Sequence, residues 1–363
     1  MLLLGIETSC DDTATAVVRD GRTVLSNVST NQDEFHAKYG GIVPEIASRK
    51  HVELLAPAVE DALARAGVSL AGVDGIAVTA GPGLIGSLVV GVAYAKALAY
   101  ASRKPLYAVN HLHGHIFAAF LDTQVENAHP RFETSPPEPE YPFLALLVSG
   151  GHSQLVHVDG PTQMDVIGRT HDDAAGEAFD KTARLLGLPF PGGPQIDRLA
   201  KAGDPRAIPF PRHRAPADSL DVSFSGLKTA VKYFLDTSEG RRAAVADVAA
   251  SFQAAVVDVL IDRVARAAER AQYRYAVLSG GVAANSALQA AFAAWGRDAG
   301  IATLIPPPKY CTDNAAMIAA AADRLGAAAL VDPVYLTANP NFPFSVSTNA
   351  EKGPVESVET LAG

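Results

Sequence analysis

The strongest constraint on the fold is a pattern that occurs once in each half of the chain. Residues 2–6 are apolar, pass through the small polar turn Glu7-Thr-Ser-Cys-Asp-Asp-Thr13, and lead into a second apolar run at 14–19. Residues 143–148, Ser149-Gly-Gly-His-Ser153 and residues 154–158 repeat that order. Short apolar runs separated by turn residues predict two hairpins. A second pair follows each hairpin. Residues 75–79 enter Gly81-Pro-Gly83 and a helical stretch from Leu84, while residues 275–278 enter Ser279-Gly-Gly-Val-Ala-Ala-Asn285 and another. A strand carboxyl end feeding a helix amino terminus is well placed for an anion. The echo predicts an α/β fold that is duplicated into two lobes. The glycines form neither GxGxxG nor GxxxxGK[ST], so neither the dinucleotide fingerprint nor a P-loop is expected.

Length agrees with two lobes, because 363 residues exceed one ordinary core. The expected division is 1–106, completed by 327–363, and 107–326, with a Pro/Glu-rich insertion near 122–141 in the second lobe. Residues 43–67 predict a helix whose apolar face runs through Ile46, Val52, Leu55, Val59 and Leu63. Residues 243–270 and 315–325 predict two more, the latter with Asp313 available as its cap. The apolar run 84–100 is broken by Gly86, Gly91 and Lys96 and predicts a buried helix with no membrane span. Residues 331–363 are polar and are expected to wrap the surface.

Cys10 and Cys311 are too few for a disulfide framework, and the first residues lack a basic signal-peptide region, so a cytoplasmic location is expected. A net charge of -9 argues against broad, nonspecific nucleic-acid binding, although it permits RNA held locally or through a partner.

His111-Leu-His-Gly-His115 carries the densest chemistry. The i, i+4 spacing of His111 and His115 puts both imidazoles on one helical face, close enough to share an ion. HExxH is absent, since Leu112 stands where the protease glutamate would be.

Several blocks together resemble the tRNA threonylcarbamoyladenosine transferase family. They are Gly5-Ile-Glu-Thr-Ser-Cys-Asp-Asp-Thr-Ala14, Val43-Pro-Glu-Ile-Ala-Ser-Arg-Lys-His-Val-Glu53, the histidine block, Leu147-Val-Ser-Gly-Gly-His152 and Asp172-Asp-Ala-Ala-Gly-Glu-Ala-Phe-Asp-Lys181. Pro191-Gly-Gly-Pro194, Phe224-Ser-Gly-Leu-Lys228, Ser279-Gly-Gly-Val-Ala-Ala-Asn285 and Asp313-Asn-Ala-Ala-Met317 complete the series. The resemblance implies the two-lobed, ribonuclease-H-like fold of actin, the large heat-shock chaperones and the sugar kinases. It implies an acyltransferase that moves threonylcarbamoyl from threonylcarbamoyl-AMP to N6 of adenosine 37, in tRNAs reading codons that begin with A. It implies a metal, iron(II) or zinc, held by His111, His115 and Asp313. His113 is left as an alternative ligand.

The nucleotide positions implied are Leu147, Val148, Ser149, Gly150, Gly151, Asp180, Gly193, Asp197 and Asn285. Glu7, Asp11 and Asp12 are candidates for the group that accepts the amine proton, Asp11 first. Expected partners are tRNA, a smaller paralogous subunit and a P-loop ATPase. Arg49-Lys50-His51 is a candidate tRNA contact, and the face through Val52, Leu55 and Val59 a candidate partner surface. Two other readings compete. A phosphotransferase of the same superfamily would leave the His/His/Asp trio superfluous, and a nucleotide-gated protein-binding platform would keep its function without it.

Overall fold

A computed structural model describes residues 1–122, 138–213, 215–216 and 218–345. Its strands are β1 (Leu2–Glu7), β2 (Thr13–Arg19), β3 (Thr23–Thr30), β4 (Gly75–Gly81), β5 (Leu106–Asn110), β6 (Phe143–Val148), β7 (Ser153–Gly160), β8 (Gln163–Arg169), β9 (Tyr275–Ser279), β10 (Ala302–Leu304) and β11 (Leu330–Val331). Its helices are α1 (Asp33–Ala37), α2 (Pro44–Ala66), α3 (Ile85–Ser102), α4 (His111–Phe117), α5 (Ala175–Leu185), α6 (Gly192–Ala200), α7 (Ser225–Asp236), α8 (Val245–Ala268), α9 (Ser286–Ala299), α10 (Pro308–Cys311) and α11 (Ala315–Leu325).

The strands form two sheets, ordered β11-β5-β4-β1-β2-β3 and β10-β9-β6-β7-β8. In each, an antiparallel three-stranded meander is extended by two parallel strands. The duplication expected from the sequence is present in these five strands of each sheet, and β11 is an addition to the first.

Both sheets are covered on both faces, so their central strands are continuous apolar runs. Phe143, Ala145 and Leu147 of β6 point into a layer shared with β1 residue Leu3, α4 and α11. Leu144, Leu146 and Val148 point the other way, among α5 to α9. Leu4 and Ile6 of β1 face α2 and α3. Helices α4 and α11 therefore lie between the sheets, and α11 fits there because it is built largely of alanine. At Gly5 a Cβ would fall 2.3 Å from the Ala315 carbonyl oxygen, so strand and helix meet at backbone distance.

Several expectations change. The buried stripe of α2 is Ala47, His51, Leu55, Ala58, Val59 and Ala62, and Val52 is 67% exposed. Small residues face the sheet because they let the helix approach closely. Leu55 and Val59 belong to the core and are no partner surface. Helix α3 does have the length and composition to cross a membrane. It packs only one face, Leu88, Val92, Ala95 and Ala99, on the first sheet, and Ile85, Val89 and Tyr100 are exposed. Parallel pairing with β4 holds β5 in the first sheet, so that sheet runs past residue 106 to Asn110. Strand β11 closes its edge by pairing with β5. Most of the Pro/Glu-rich stretch, 123–137, and the terminal 346–363 lie outside the described residues.

Candidate active site

Strand β5 ends on Asn110, whose side chain accepts a 2.8 Å hydrogen bond from the Leu112 amide and so caps α4. One turn separates His111 from His115, and their rings meet edge-on at 4.7 Å. Asp313 arrives from the turn before α11. The cap of α11 is not Asp313 but Asn314, which accepts from the Met317 amide at 2.9 Å. That division of labour releases Asp313 to face the histidines. Its Oδ1 lies 3.5 Å from His111 Nε2 and 3.2 Å from His115 Nε2. One ligand atom from each of the three residues lies within 4.8 Å of the others.

His115 Nε2 is buried and makes no hydrogen bond despite that short distance. An unpartnered imidazole nitrogen aimed at a carboxylate, with a second imidazole alongside, suits a divalent ion better than a proton network. Two nitrogens and one oxygen also leave coordination positions free for a substrate. The residues fit a metal.

Glu7, at the end of β1, is fully buried behind His111. It accepts from Thr79 Oγ1 at 2.5 Å, from the Ser9 amide, and sits 2.9 Å from His111 Nδ1. Burial opposes a charged His111 ring, but the carboxylates of Glu7 and Asp313 outweigh it and push its pKa well up. Burial likewise opposes the Asp313 carboxylate, yet the facing histidines hold it ionised far below its ordinary range. Glu7 is thus committed to orienting His111, as the outer carboxylate of a metal-binding histidine does. Asp11 and Asp12 are not so engaged. Burial raises Asp11, and burial followed by repulsion from Asp313 and Asp11 pushes Asp12 up to about 8.

On the second lobe a cleft of about 480 Å³ opens between the β6–β7 turn, α5, α6 and the turn before α9. Gly150, Asp180, Gly193, Asp197 and Asn285, five of the positions the resemblance implied for nucleotide, line it together. Asp180 Oδ1 accepts from the Gly192 amide at 2.8 Å, and Asp197 Oδ1 accepts from Ser286 Oγ at 2.8 Å. A Cβ on Gly150, Gly151, Gly193 or Gly281 would meet nothing within 4 Å, so these backbones face open space. Leu147 and Val148 differ, since both are fully buried with their side chains in the two apolar layers, and neither lines the cleft. The Asn285 side chain is engaged too. Its Oδ1 caps α9 through the Leu288 amide at 3.0 Å, and its Nδ2 donates to Gln253 Oε1 at 2.7 Å.

A family model described as tRNA N6-adenosine threonylcarbamoyltransferase matches residues 23–320. The chain is 52% identical over 340 residues to the protein of that name from Symbiobacterium thermophilum, covering 93% of this chain and 96% of that one. To its counterpart in Moorella thermoacetica it is 50% identical over 345 residues, covering 94% and 97%. The chain belongs to the tRNA N6-adenosine threonylcarbamoyltransferase family. Among solved structures, full-length HypF in its phosphate- and nucleotide-bound form superposes with a TM-score of 0.55 at 13% identity, over 89% of this chain and 46% of that one. HypF from T. kodakarensis gives 0.55 at 14% identity, over 88% and 46%. These two likenesses are of fold.

Two histidines of this threonylcarbamoyltransferase stand elsewhere than expected, and a third carried no expectation. His113 is no alternative ligand. It points away from the trio, with Nε2 2.7 Å from the Phe344 carbonyl oxygen, and burial pushes it down to about 4. His51 is buried in α2, with Nδ1 2.8 Å from Thr13 Oγ1 and Nε2 2.9 Å from the Cys10 carbonyl. It pins the Glu7–Thr13 turn and leaves only Arg49 and Lys50 of the basic trio toward solvent. Both are paired, to Glu45 and Glu53. His152, unassigned from sequence, is pushed down to about 4 by burial and by His111 and His115 nearby. Its sole sequence signal was its place at the end of the glycine turn.

Proposed function

We propose that this chain transfers threonylcarbamoyl from threonylcarbamoyl-AMP to N6 of adenosine 37 in tRNAs reading codons that begin with A, releasing AMP in the cytoplasm. One observation carries the reading beyond family membership. The Ser149–Ser153 turn borders the nucleotide-sized cleft at Gly150 and the His/His/Asp trio at His152. An adenylate seated in the cleft therefore points its acyl end at the trio.

The reaction joins N6 to the carbamoyl carbon and breaks that carbon's bond to the phosphate oxygen. AMP leaves with the electron pair, and the amine gives up a proton. Asp180 and Asp197 suit ribose hydroxyls, since carboxylates would repel phosphate. The backbone amides of Gly150 and Gly151, which face open space, suit the phosphate and the charge that grows on departing AMP, while the Ser149 amide is taken by the His152 carbonyl at 2.8 Å. His111, His115 and Asp313 would hold iron(II) or zinc, which supplies a Lewis acid for the threonylcarbamoyl oxygens. Glu7 fixes the His111 ring. Asp11 and Asp12 are the candidate proton acceptors, both made more basic by burial. The expected partners are tRNA, a smaller paralogous subunit and a P-loop ATPase.

The direct test supplies purified chain with threonylcarbamoyl-AMP and unmodified tRNA, with and without those partners. Modified adenosine and AMP in equal amounts are expected. Binding of both substrates without transfer under every condition would sink the assignment, and transfer that survives metal removal would refute the role given to the trio.

A pH effect follows at Asp12. In the unfolded chain this carboxyl loses its proton near about 3.9, whereas in the folded chain it holds it up to about 8. Between those values the folded state binds the extra proton, so its contribution to stability falls as pH rises. Asp12→Asn removes that slope. In chelator-treated protein the melting temperature of the variant should gain on the parent from pH 5 to pH 8; a constant difference would show that Asp12 ionises normally.

A further inference from the structure

Helix α4 is gripped from behind by a distant part of the chain. Residues 339–344 run across the end of the first sheet, where β4 passes through Gly81-Pro82-Gly83 into α3. The Asn339 amide donates to the Ala80 carbonyl at 2.9 Å, and the Gly83 amide reaches the Pro340 carbonyl at 3.4 Å. A Cβ on Gly81 would fall 1.9 Å from the Asn339 carbonyl oxygen, so the segment lies directly on that turn. Phe342 packs into the layer under α2 and α3, and Phe344 into the layer that holds α4.

The same segment touches α4 at two points. Asn110, already capping α4 through its Oδ1, donates Nδ2 to the carbonyls of Phe342 at 3.1 Å and Pro343 at 3.0 Å. His113 donates Nε2–H to the Phe344 carbonyl at 2.7 Å, with the two rings edge-on at 4.8 Å. His113 lies about 200° around the helix from both His111 and His115, from 100° per residue. A contact there sets the rotation of α4 about its axis, and the Asn110 contact sets where the helix begins. Those two settings fix where His111 and His115 aim.

We infer that residues 339–344 position the metal-binding helix, with His113 as the positioning residue through which they act. This rests on the reading of His111, His115 and Asp313 as ligands. It gives the middle histidine of the block a task that is neither ligation nor catalysis. It also explains why a seven-residue helix, too short to hold its own shape in water, can carry a precise pair of ligands.

The test measures Co2+ affinity and the visible ligand-field spectrum of the full chain, alongside AMP affinity. Four variants are compared: truncation after Ala338, truncation after Ser345, His113→Leu and His113→Gln. Outer partners of metal ligands are worth about 10–100-fold in affinity. Truncation after Ala338 and His113→Leu should each weaken Co2+ binding by about that factor and shift the spectrum. AMP affinity, which reports the second-lobe cleft, should stay unchanged. His113→Gln keeps a donor and should recover most of the loss, and truncation after Ser345 should match the parent. Unaltered Co2+ affinity and spectrum in His113→Leu would overturn the inference even if the shorter truncation fails to fold. Parallel loss of AMP affinity would overturn it too, by showing general damage. If the parent chain binds no Co2+, the ligand reading itself falls.

Discussion

Asp313→Ala should abolish metal binding at accessible concentrations and take the transfer reaction with it. The partners around a metal ligand are worth about 10–100-fold, so removing a ligand itself should exceed that range. The variant also strips one of the two carboxylates that keep the His111 ring charged. In the parent protein a metal must displace that proton, so affinity should rise with pH until His111 is neutral. Metal content after anaerobic purification, together with transfer to unmodified tRNA, checks both. Full activity without metal would refute the role given to the trio. Helix α11 should survive, since its cap is Asn314 and not Asp313.

Gly5→Ala should cost about 3 kcal/mol of stability, the upper end for overpacking a dense core. The added methyl would fall 2.3 Å from the Ala315 carbonyl oxygen and 3.2 Å from the Ala319 side chain. Neither is a flexible tip that can swing aside, so α11 must move away from β1. Ala315 is two residues from Asp313, and the shift should carry the carboxylate out of reach of the histidines. Urea unfolding should show a lower midpoint with an unchanged slope, and metal affinity should fall alongside it. An unfolding free energy within about 1 kcal/mol of the parent's would mean that α11 has slack the packing does not suggest.

The duplicated architecture and the glycine turns were legible in the sequence, because each rests on a local signal, whereas Asp180, Gly193, Asp197 and Asn285 came only through the family resemblance. Residue types that can turn a chain or approach a phosphate are few, and the duplication displays them twice. The trio was legible as two histidines by spacing, and its third member only through the family resemblance. What stayed hidden depends on partners far along the chain. Nothing near His113 announces that its donor ends on a backbone carbonyl at Phe344. Asp313 and Asn314 are both good caps, and only the geometry shows which one turns inward. On α2 the search for large apolar residues selected Val52, whereas close packing on the sheet selected Ala47, His51 and Ala58. Glu7 was a candidate base from its place in a cleft-facing turn, and of the partners that occupy its oxygens, Thr79, Ser9 and His111, the first and last lie far along the chain and were not visible there.

The segment 339–344 also sets the two halves of the duplication apart. Gly81 and Gly83 follow β4 as Gly280 and Gly281 follow β9. Beyond β9 the backbone faces open space at Gly281, while beyond β4 the chain's own backbone at Asn339 and Pro340 fills the corresponding place. The halves share a strand–glycine–helix plan and differ in what lies on it, backbone in the first and open space in the second.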